Sequence, residues 1–391
     1  MNYSLSSKRI LLLFLATALV LTFGRLIKSQ FNFSYFIVAG SDFVNQDKTI
    51  IPVVIQKGQG YDGQFFYRYA LNPIDFNKND YGVNVDHPPY RIQRIAYPLF
   101  AWFLSFGGYP AAVPIALVLL NMLAFIGISF YTNKFITLVN GNIVYGLLPL
   151  FLSGIFMSIA RDLSEVTELF FFTGAIYYLF KPRYLLFSIF ATFTLLSHET
   201  SMIAFIPLGA CLIFRMFRKE FKPPVLFYLL LPFLIFAIWK IIIYFNIPAL
   251  ADTTIRYESI GLPFKGIIMG LKANFNFSDT INSLQFFFWI AYIFWQISFV
   301  TMIFRKVSFK QLSGFDNISM LKIIYLSWLI LALCLSDNIY SDDWGFVRIF
   351  SLWNMVGFLI IIADKKQIGW KFNVFSAMLV LFTIIRLIIR V

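Results

Sequence analysis

The chain reads as an all-α polytopic integral membrane protein with about eleven transmembrane helices. Three observations predict this. Of 391 residues, 59% are hydrophobic and only 13% charged, whereas about a quarter of a soluble domain is charged. Mean hydropathy is +0.76. Apolar runs near the ~20 residues that a spanning helix needs recur along the whole sequence.

Taken in order, the candidate spans are roughly 9–28, 110–132, 142–160, 165–181, 184–199, 202–217, 225–245, 285–304, 319–336, 346–363 and 372–390. The first is a signal anchor. Ala16-Thr17-Ala18 resembles a cleavage site, but the apolar run continues through Phe23, so the segment is retained. Residues Arg91 to Phe106 are apolar but too short to span, bounded by basic residues, and carry Tyr97 and Trp102. An interfacial or re-entrant helix suits them. Pro88-Pro89, Gly107-Gly108 with Pro110, and Pro223-Pro224 mark turns. With no Gly/Ser linker, low-complexity tract or clear repeat, residues 1–391 form a single domain.

Net charge is +13, but its distribution excludes a nucleic-acid surface. Basic residues cluster in short loops: Lys8-Arg9, Lys181 with Arg183, Arg215 to Lys222, Arg305 to Lys310, and Lys365-Lys366. That is the positive-inside pattern. Threading from a cytoplasmic N-terminus puts all of these inside and three longer segments outside: about 30–94, 246–284 and 336–346. Of the acidic residues, Glu220, Asp316 and Asp364 are then the ones placed inside. Acidic residues set topology weakly, so their segregation suggests a functional outer face. Cys211 and Cys334 lie in apolar runs and read as buried small hydrophobes, with no disulfide framework implied.

The first outer loop contains Gly60-Tyr61-Asp62-Gly63-Gln64-Phe65-Phe66-Tyr67-Arg68-Tyr69-Ala70. Asp62 precedes an amphipathic stretch, and the flanking glycines permit close backbone approach. Two readings are open for it: a catalytic carboxylate, or the N-cap of the following helix. Asp42, Asp47, Asp75, Asp80, Asp86 and His87 read as solvating loop charges. Arg91 and Arg94 are spaced i, i+3 and share a face if helical. Their planar forks suit phosphate, and snorkelling to headgroups is the plainer alternative.

Further candidates come from elsewhere. Arg161, Glu165 and Glu168 fall on one helix face beside Asp162, where charges in a membrane helix face a cavity or a partner. A self-satisfied Arg161–Glu165 pair is the structural alternative. His198-Glu199 ends a span on the same outer side. Asp337, Asp342, Asp343 and Arg348 open the penultimate span, with Arg348 placed to hold a phosphate. Asp252, Arg256 and Glu258 are weaker candidates. His87 and His198 lack metal-ligand spacing, but loop carboxylates could hold Mg²⁺ or Mn²⁺ against a lipid phosphate.

This layout resembles the GT-C superfamily of polytopic glycosyltransferases, which use polyprenyl-phosphate-linked sugars on the outer or lumenal face. Gly60-Tyr61-Asp62-Gly63-Gln64-Phe65-Phe66-Tyr67 is similar to the Trp-Asp-Gly/Ala-x-aromatic first-loop motif of the GPI mannosyltransferase II type, with Tyr61 in place of Trp. Asp86 to Trp102, DHPPYRIQRIAYPLFAW, resembles the segment carrying a proline-aromatic element there, in approximate form. Bacterial membrane proteins with GYDGQFFYR followed by YRxQRxxYPLxAW are also similar. The motif similarity covers residues 58–105.

The resemblance implies a GT-C-like fold with interfacial helices in the first outer loop, in a bacterial inner membrane. It implies an inverting, mannosyltransferase-like hexosyl or pentosyl transfer with Asp62 as general base. A phosphate is already a good leaving group, so one base suffices, unlike the acid–base pair of inverting glycosidases. Asp162, Glu165, Glu199 and His198 then position acceptor, donor or metal, and Arg348, Arg94, Arg91 and Arg161 hold the donor phosphate. The partners are a polyprenyl-phosphate sugar, a glycan, lipid or protein acceptor, and membrane lipids. The alternatives are a lipid-linked glycan transporter or an O-antigen-type polymerase. Transporters tend to carry repeat symmetry and midplane charge, and such polymerases place their long loop late in the chain.

Overall fold

The structure, a computed structural model, describes residues 6–220, 224–247, 259–305 and 315–389. Asp252, Arg256, Glu258, Lys222 and the basic stretch 306–310 lie outside the described residues.

The fold is a helical bundle with one elaborated loop near its start. Helix α1 (Ser7–Lys28) is followed by the loop, which carries α2 (Gly63–Leu71), α3 (Pro88–Ile92) and α4 (Ala96–Leu104). Its only strands among the described residues are short. β1 (Ala39–Gly40) pairs in parallel with β2 (Ile55–Gln56), and β3 (Asn79–Asp80) pairs antiparallel with β4 (Val83–Asn84). The bundle continues as α5 (Val113–Leu138), α6 (Ser153–Ile159), α7 (Glu165–Phe180), α8 (Tyr184–Ser197), α9 (Met202–Phe217) and α10 (Pro224–Asn246). Then follow α11 (Lys265–Asn274), α12 (Thr280–Phe304), α13 (Asn317–Cys334), α14 (Asp337–Ser341), α15 (Asp343–Ala363) and α16 (Trp370–Ile389).

Eight of these helices are long and apolar enough to cross a membrane: α1, α5, α9 with its preceding turn, α10, α12, α13, α15 and α16. This fits an integral membrane protein. Helix α15 is apolar all round and buried along almost its whole length, as a central helix must be. It packs against α6, α7, α12 and α13.

Three expected spans take other forms. Residues 142–160 are not one helix: Ile143–Phe151 is a 3₁₀ helix and α6 follows it. Pro149 has no N–H to donate, and Gly146 and Gly154 weaken helix propagation. Segments 165–181 and 184–199 form α7 and α8, with 16 and 14 residues. The segment from Arg91 to Phe106 divides into the end of α3 and α4. Prolines fit a first helical turn and poorly elsewhere. Pro88-Pro89 start α3, and Pro98 falls in the first turn of α4.

Contacts define two ends of the bundle. At one end, Arg25 Nη1 donates to Leu387 C=O at 2.7 Å, and Lys28 donates to Ile389 C=O. Both cap the terminal carbonyls of α16. At the opposite end, Tyr145 donates to Lys366 C=O at 2.7 Å, Lys322 pairs with Asp364 at 2.8 Å, and Arg215 bonds Asn317 at 2.7 Å.

The loop docks onto the bundle through glycine. A Cβ on Gly63 would lie 2.3 Å from Arg161 C=O and 2.7 Å from Ile37 C=O. Both are backbone atoms that cannot swing aside. We predict that Gly63→Ala lowers stability by about 1–3 kcal/mol through overpacking. Gly209→Ala, in α9 with no neighbour within 4 Å of its Cβ, should be neutral or stabilising. Thermal unfolding of both variants in detergent checks this contrast.

Candidate active site

At the end of the bundle where α1 and α16 finish, charged side chains from five sequence regions meet. Asp62 lies immediately before α2. Its side chain makes no cap hydrogen bond to that helix, so the N-cap reading does not describe it. Asp62 Oδ1 pairs with Arg91 Nη1 at 2.9 Å, and Oδ2 accepts from Arg348 Nη1 at 3.3 Å. Arg91 comes from α3 and Arg348 from the start of α15, 257 positions later in the chain (348 minus 91).

Each arginine also holds a second carboxylate. Arg91 grips Asp86 with two hydrogen bonds, 2.8 and 2.6 Å long. Arg348 Nε lies 3.2 Å from Glu165 Oε1, a charge pairing without hydrogen-bond alignment. Glu165 Oε2 accepts from Ser158 Oγ at 3.2 Å. His198 Nε2 is 4.0 Å from Glu165, beyond hydrogen-bond reach. Beside this chain, Arg94 donates to Glu199 at 2.8 and 2.7 Å and to the Tyr90 hydroxyl at 2.5 Å.

A column of rings crosses the network. Arg161 Cζ lies 4.3 Å from the Tyr61 ring and 4.3 Å from the Trp344 ring. Arg348 stacks over Tyr61 at 5.2 Å, and Arg386 over Trp344 at 4.0 Å. Such cation–π contacts are within ~6 Å and strengthen as water is excluded. Arg386 also pairs with Asp343. Arg161 differs from the other four arginines here: it makes no carboxylate pair among the described residues.

Burial disfavours the charged form of Asp62, but Arg91, Arg348 and Arg94 outweigh it and hold the carboxyl well below the usual range. Asp62 is therefore ionised at neutral pH. Burial pushes the Tyr61 hydroxyl up to about 12, with Arg348 opposing. Asp162 behaves oppositely. Burial pushes its carboxyl well up, only partly offset by Arg25, and neither of its oxygens has a hydrogen-bond partner.

The structure thus gathers Asp62, Arg91, Arg94, Arg161, Arg348, Glu165, His198 and Glu199, while Asp162 lies in the interior outside the network. Arg91 and Arg94 are not on one helix, because α3 ends at Ile92. The alternative of a self-satisfied Arg161–Glu165 pair is not what forms. Arg161 precedes α7, and Glu165 turns to Arg348 instead. Asp75 and Asp86 are not solvating charges: Asp75 pairs with buried Arg68 at 2.8 Å and Asp86 with Arg91. Tyr90, Trp344 and Arg386 were not singled out from sequence. Tyr90 stands four residues before Arg94, and Arg386 is a lone charge in an apolar run, a signal that marks function by default.

Among the described residues, no group of three or more His, Cys, Asp or Glu side chains could hold a metal ion. The carboxylates at the site face arginines instead, so this donor set does not fit Mg²⁺ or Mn²⁺. No family model, curated protein or solved structure matches this chain.

Removing one partner of a buried pair strands the other charge, typically at a cost of about 3–5 kcal/mol. Glu165 is 2% exposed, so Arg348→Ala should destabilise on that scale, and adding Glu165→Gln should recover part of the loss. Asp62→Asn should cost less, because Arg91 and Arg348 each keep a carboxylate. Asp62 has a depressed folded pKa. Its contribution is thus complete above the unfolded value of about 3.9 and fades as pH falls through the folded one. The melting difference between wild type and Asp62→Asn should therefore hold steady from pH 8 to about 5 and shrink below about pH 4.

Proposed function

We propose that this chain is a membrane glycosyltransferase that moves a sugar from a polyprenyl-phosphate carrier to an acceptor hydroxyl. The observation that carries the reading is an ionised Asp62 held by Arg91 and Arg348 at one end of an apolar bundle, beside Arg161, which makes no carboxylate pair among the described residues. A carboxylate base, a cationic cradle and a lipid-facing scaffold are what such a transfer requires.

In the proposed reaction, Asp62 takes the proton of the acceptor hydroxyl. The acceptor oxygen bonds the anomeric carbon from the face opposite the phosphate. The bond from that carbon to the phosphate oxygen breaks, and its electron pair leaves with the phosphate. Arg161 holds the phosphate, and Arg91 and Arg348 stabilise the growing charge. Paired with both arginines, Asp62 is a weak base. A donor phosphate that draws on the same guanidiniums loosens their hold and raises its basicity. Glu165 and Glu199 orient Arg348 and Arg94.

Eleven passes are the topology we propose. Arg25 and Lys28 bring the ends of α1 and α16 together, so these helices run the same way and the number of passes is odd. Eight long helices are an even number; α7, α8 and the 143–159 segment add three. That segment is about 28 Å long, from nine 3₁₀ and seven α residues. Lys8, Lys181, Lys365 and Lys366 belong to the end opposite Asp62, which supports a cytoplasmic N-terminus and an outward-facing site.

The test is mass spectrometry of polyprenyl phosphate release from native membranes supplied with polyprenyl-phosphate sugars. We expect release with wild type and a loss of at least ~10²-fold with Asp62→Asn. Release at a wild-type rate from the variant removes Asp62 from the chemistry. No release from wild type, with lipid-linked sugar moved across liposomes, favours transport. Arg161→Ala should raise the donor KM at least tenfold with little change in acceptor KM. Arg161→Lys should not restore it, because an ammonium cannot stack as a guanidinium plane does.

A further inference from the structure

The first loop holds a second concave site that the charge network does not use. Residues 43–45 pair with residues 82–84. Val44 bridges Val83, Asn84 N–H donates to Phe43 C=O at 2.8 Å, and Asn45 N–H donates to Gly82 C=O at 2.8 Å. Val44 and Val83 are buried beneath this pairing, whereas Asn84 is exposed. The β3–β4 hairpin turns through Tyr81 and Gly82, both at positive φ. Residues 41–46 and 79–84, with Lys48, Val53 and Ile55, line a cleft of about 980 Å³ on this paired surface. Small-ligand pockets run from roughly 300 to 1,000 Å³, so there is room for more than one sugar ring.

The lining has a distinct chemistry. Asp42, Asp80 and Asn84 offer planar carboxylate and carboxamide groups, which can bond two neighbouring hydroxyls at once. Phe43 and Tyr81 are half-buried rings that can take the C–H face of a pyranose. Two carboxylates against the single cation Lys48 make the cleft unfavourable for anions. A hydrophobic ligand would leave those polar groups unpaired.

The cleft backs directly onto the network. Asp42 N–H donates to Gly58 C=O at 3.1 Å, two residues before Gly60. The Phe43 ring meets the Phe65 ring edge-on at 5.5 Å, and Arg91 lies over Phe65 at 4.5 Å. A continuous wall of three side chains thus runs from the cleft to the arginine that holds Asp62.

We propose that this cleft binds a neutral oligosaccharide, and that it is the acceptor site of the enzyme. The acceptor role rests on the glycosyl-transfer reading; saccharide binding does not.

The test is saturation-transfer difference NMR on the full chain in nanodiscs. The probes are mannotetraose, maltotetraose and chitotetraose, with sialyllactose as the anionic comparison. At least one neutral tetrasaccharide should bind and sialyllactose should not. The double variant Asp42→Ala/Asn84→Ala should weaken that binding at least tenfold, with an unchanged melting temperature. Asp42→Asn, which keeps the shape and removes the charge, guards against a folding defect and should weaken binding less. If none of the three neutral probes binds, or if the double variant binds them equally well, the proposal is overturned. Binding that requires the cleft, in a protein that releases no polyprenyl phosphate, keeps the saccharide site and overturns its acceptor role together with the transfer reading.

Discussion

Asp62 stays ionised at the end of an apolar bundle because two arginines from distant parts of the chain reach it. Burial alone would neutralise the carboxyl. Arg91 arrives from the loop and Arg348 from the most buried of the eight long apolar helices, and each is itself balanced by another carboxylate. Taking charges from water is costly unless they are paired. The loop, α7 and α15 therefore cannot move independently without stranding a charge. The carboxylates and arginines act as a fastening between a polar loop and an apolar scaffold.

The ring column does related work by other means. Tyr61 lies against Arg161 and Arg348, and Trp344 against Arg161 and Arg386, which offsets part of the repulsion among three guanidiniums. Each aromatic face is electron-rich and attracts cations on both sides. Arg161 is thus held between rings and makes no carboxylate pair among the described residues. Gly63 completes the arrangement by letting the start of α2 touch the backbone of Arg161. Asp62, next to that contact, takes its position from it.

Much of this was legible in the sequence, and the gaps have physical causes. The helical, membrane-spanning character follows from long apolar runs, and hydropathy reports length and composition well. It does not report hydrogen-bond pattern, so the 3₁₀ segment around Pro149 read as one helix. The gathering of charges toward Asp62 was visible as segregation of acidic residues, but pairing was not. Arg161 and Glu165 have helical spacing, yet α7 starts only at Glu165, a boundary decided by tertiary contact. Asp75 and Asp86 look like any loop acids until the chain folds back on Arg68 and Arg91. Arg386 is a lone charge in the last apolar run, and a lone charge has no spacing pattern that names its partner, Asp343.

Helix α8, a pass in the eleven-pass topology we propose, would have consequences for the surrounding lipid. With 14 residues it is about 21 Å long, against a hydrocarbon thickness of about 30 Å. Leu185, Leu186 and Ile189 face outward from it, so acyl chains meet a short apolar wall. A bilayer adapts to such a mismatch by thinning. Its upper end leads directly into His198 and Glu199, so in that topology the headgroup plane would dip beside the charged network. The donor phosphate we propose, carried on a long prenyl chain, would then meet the arginines at its own resting depth, without being lifted out of the membrane. Bilayer thickness itself becomes a variable of the site.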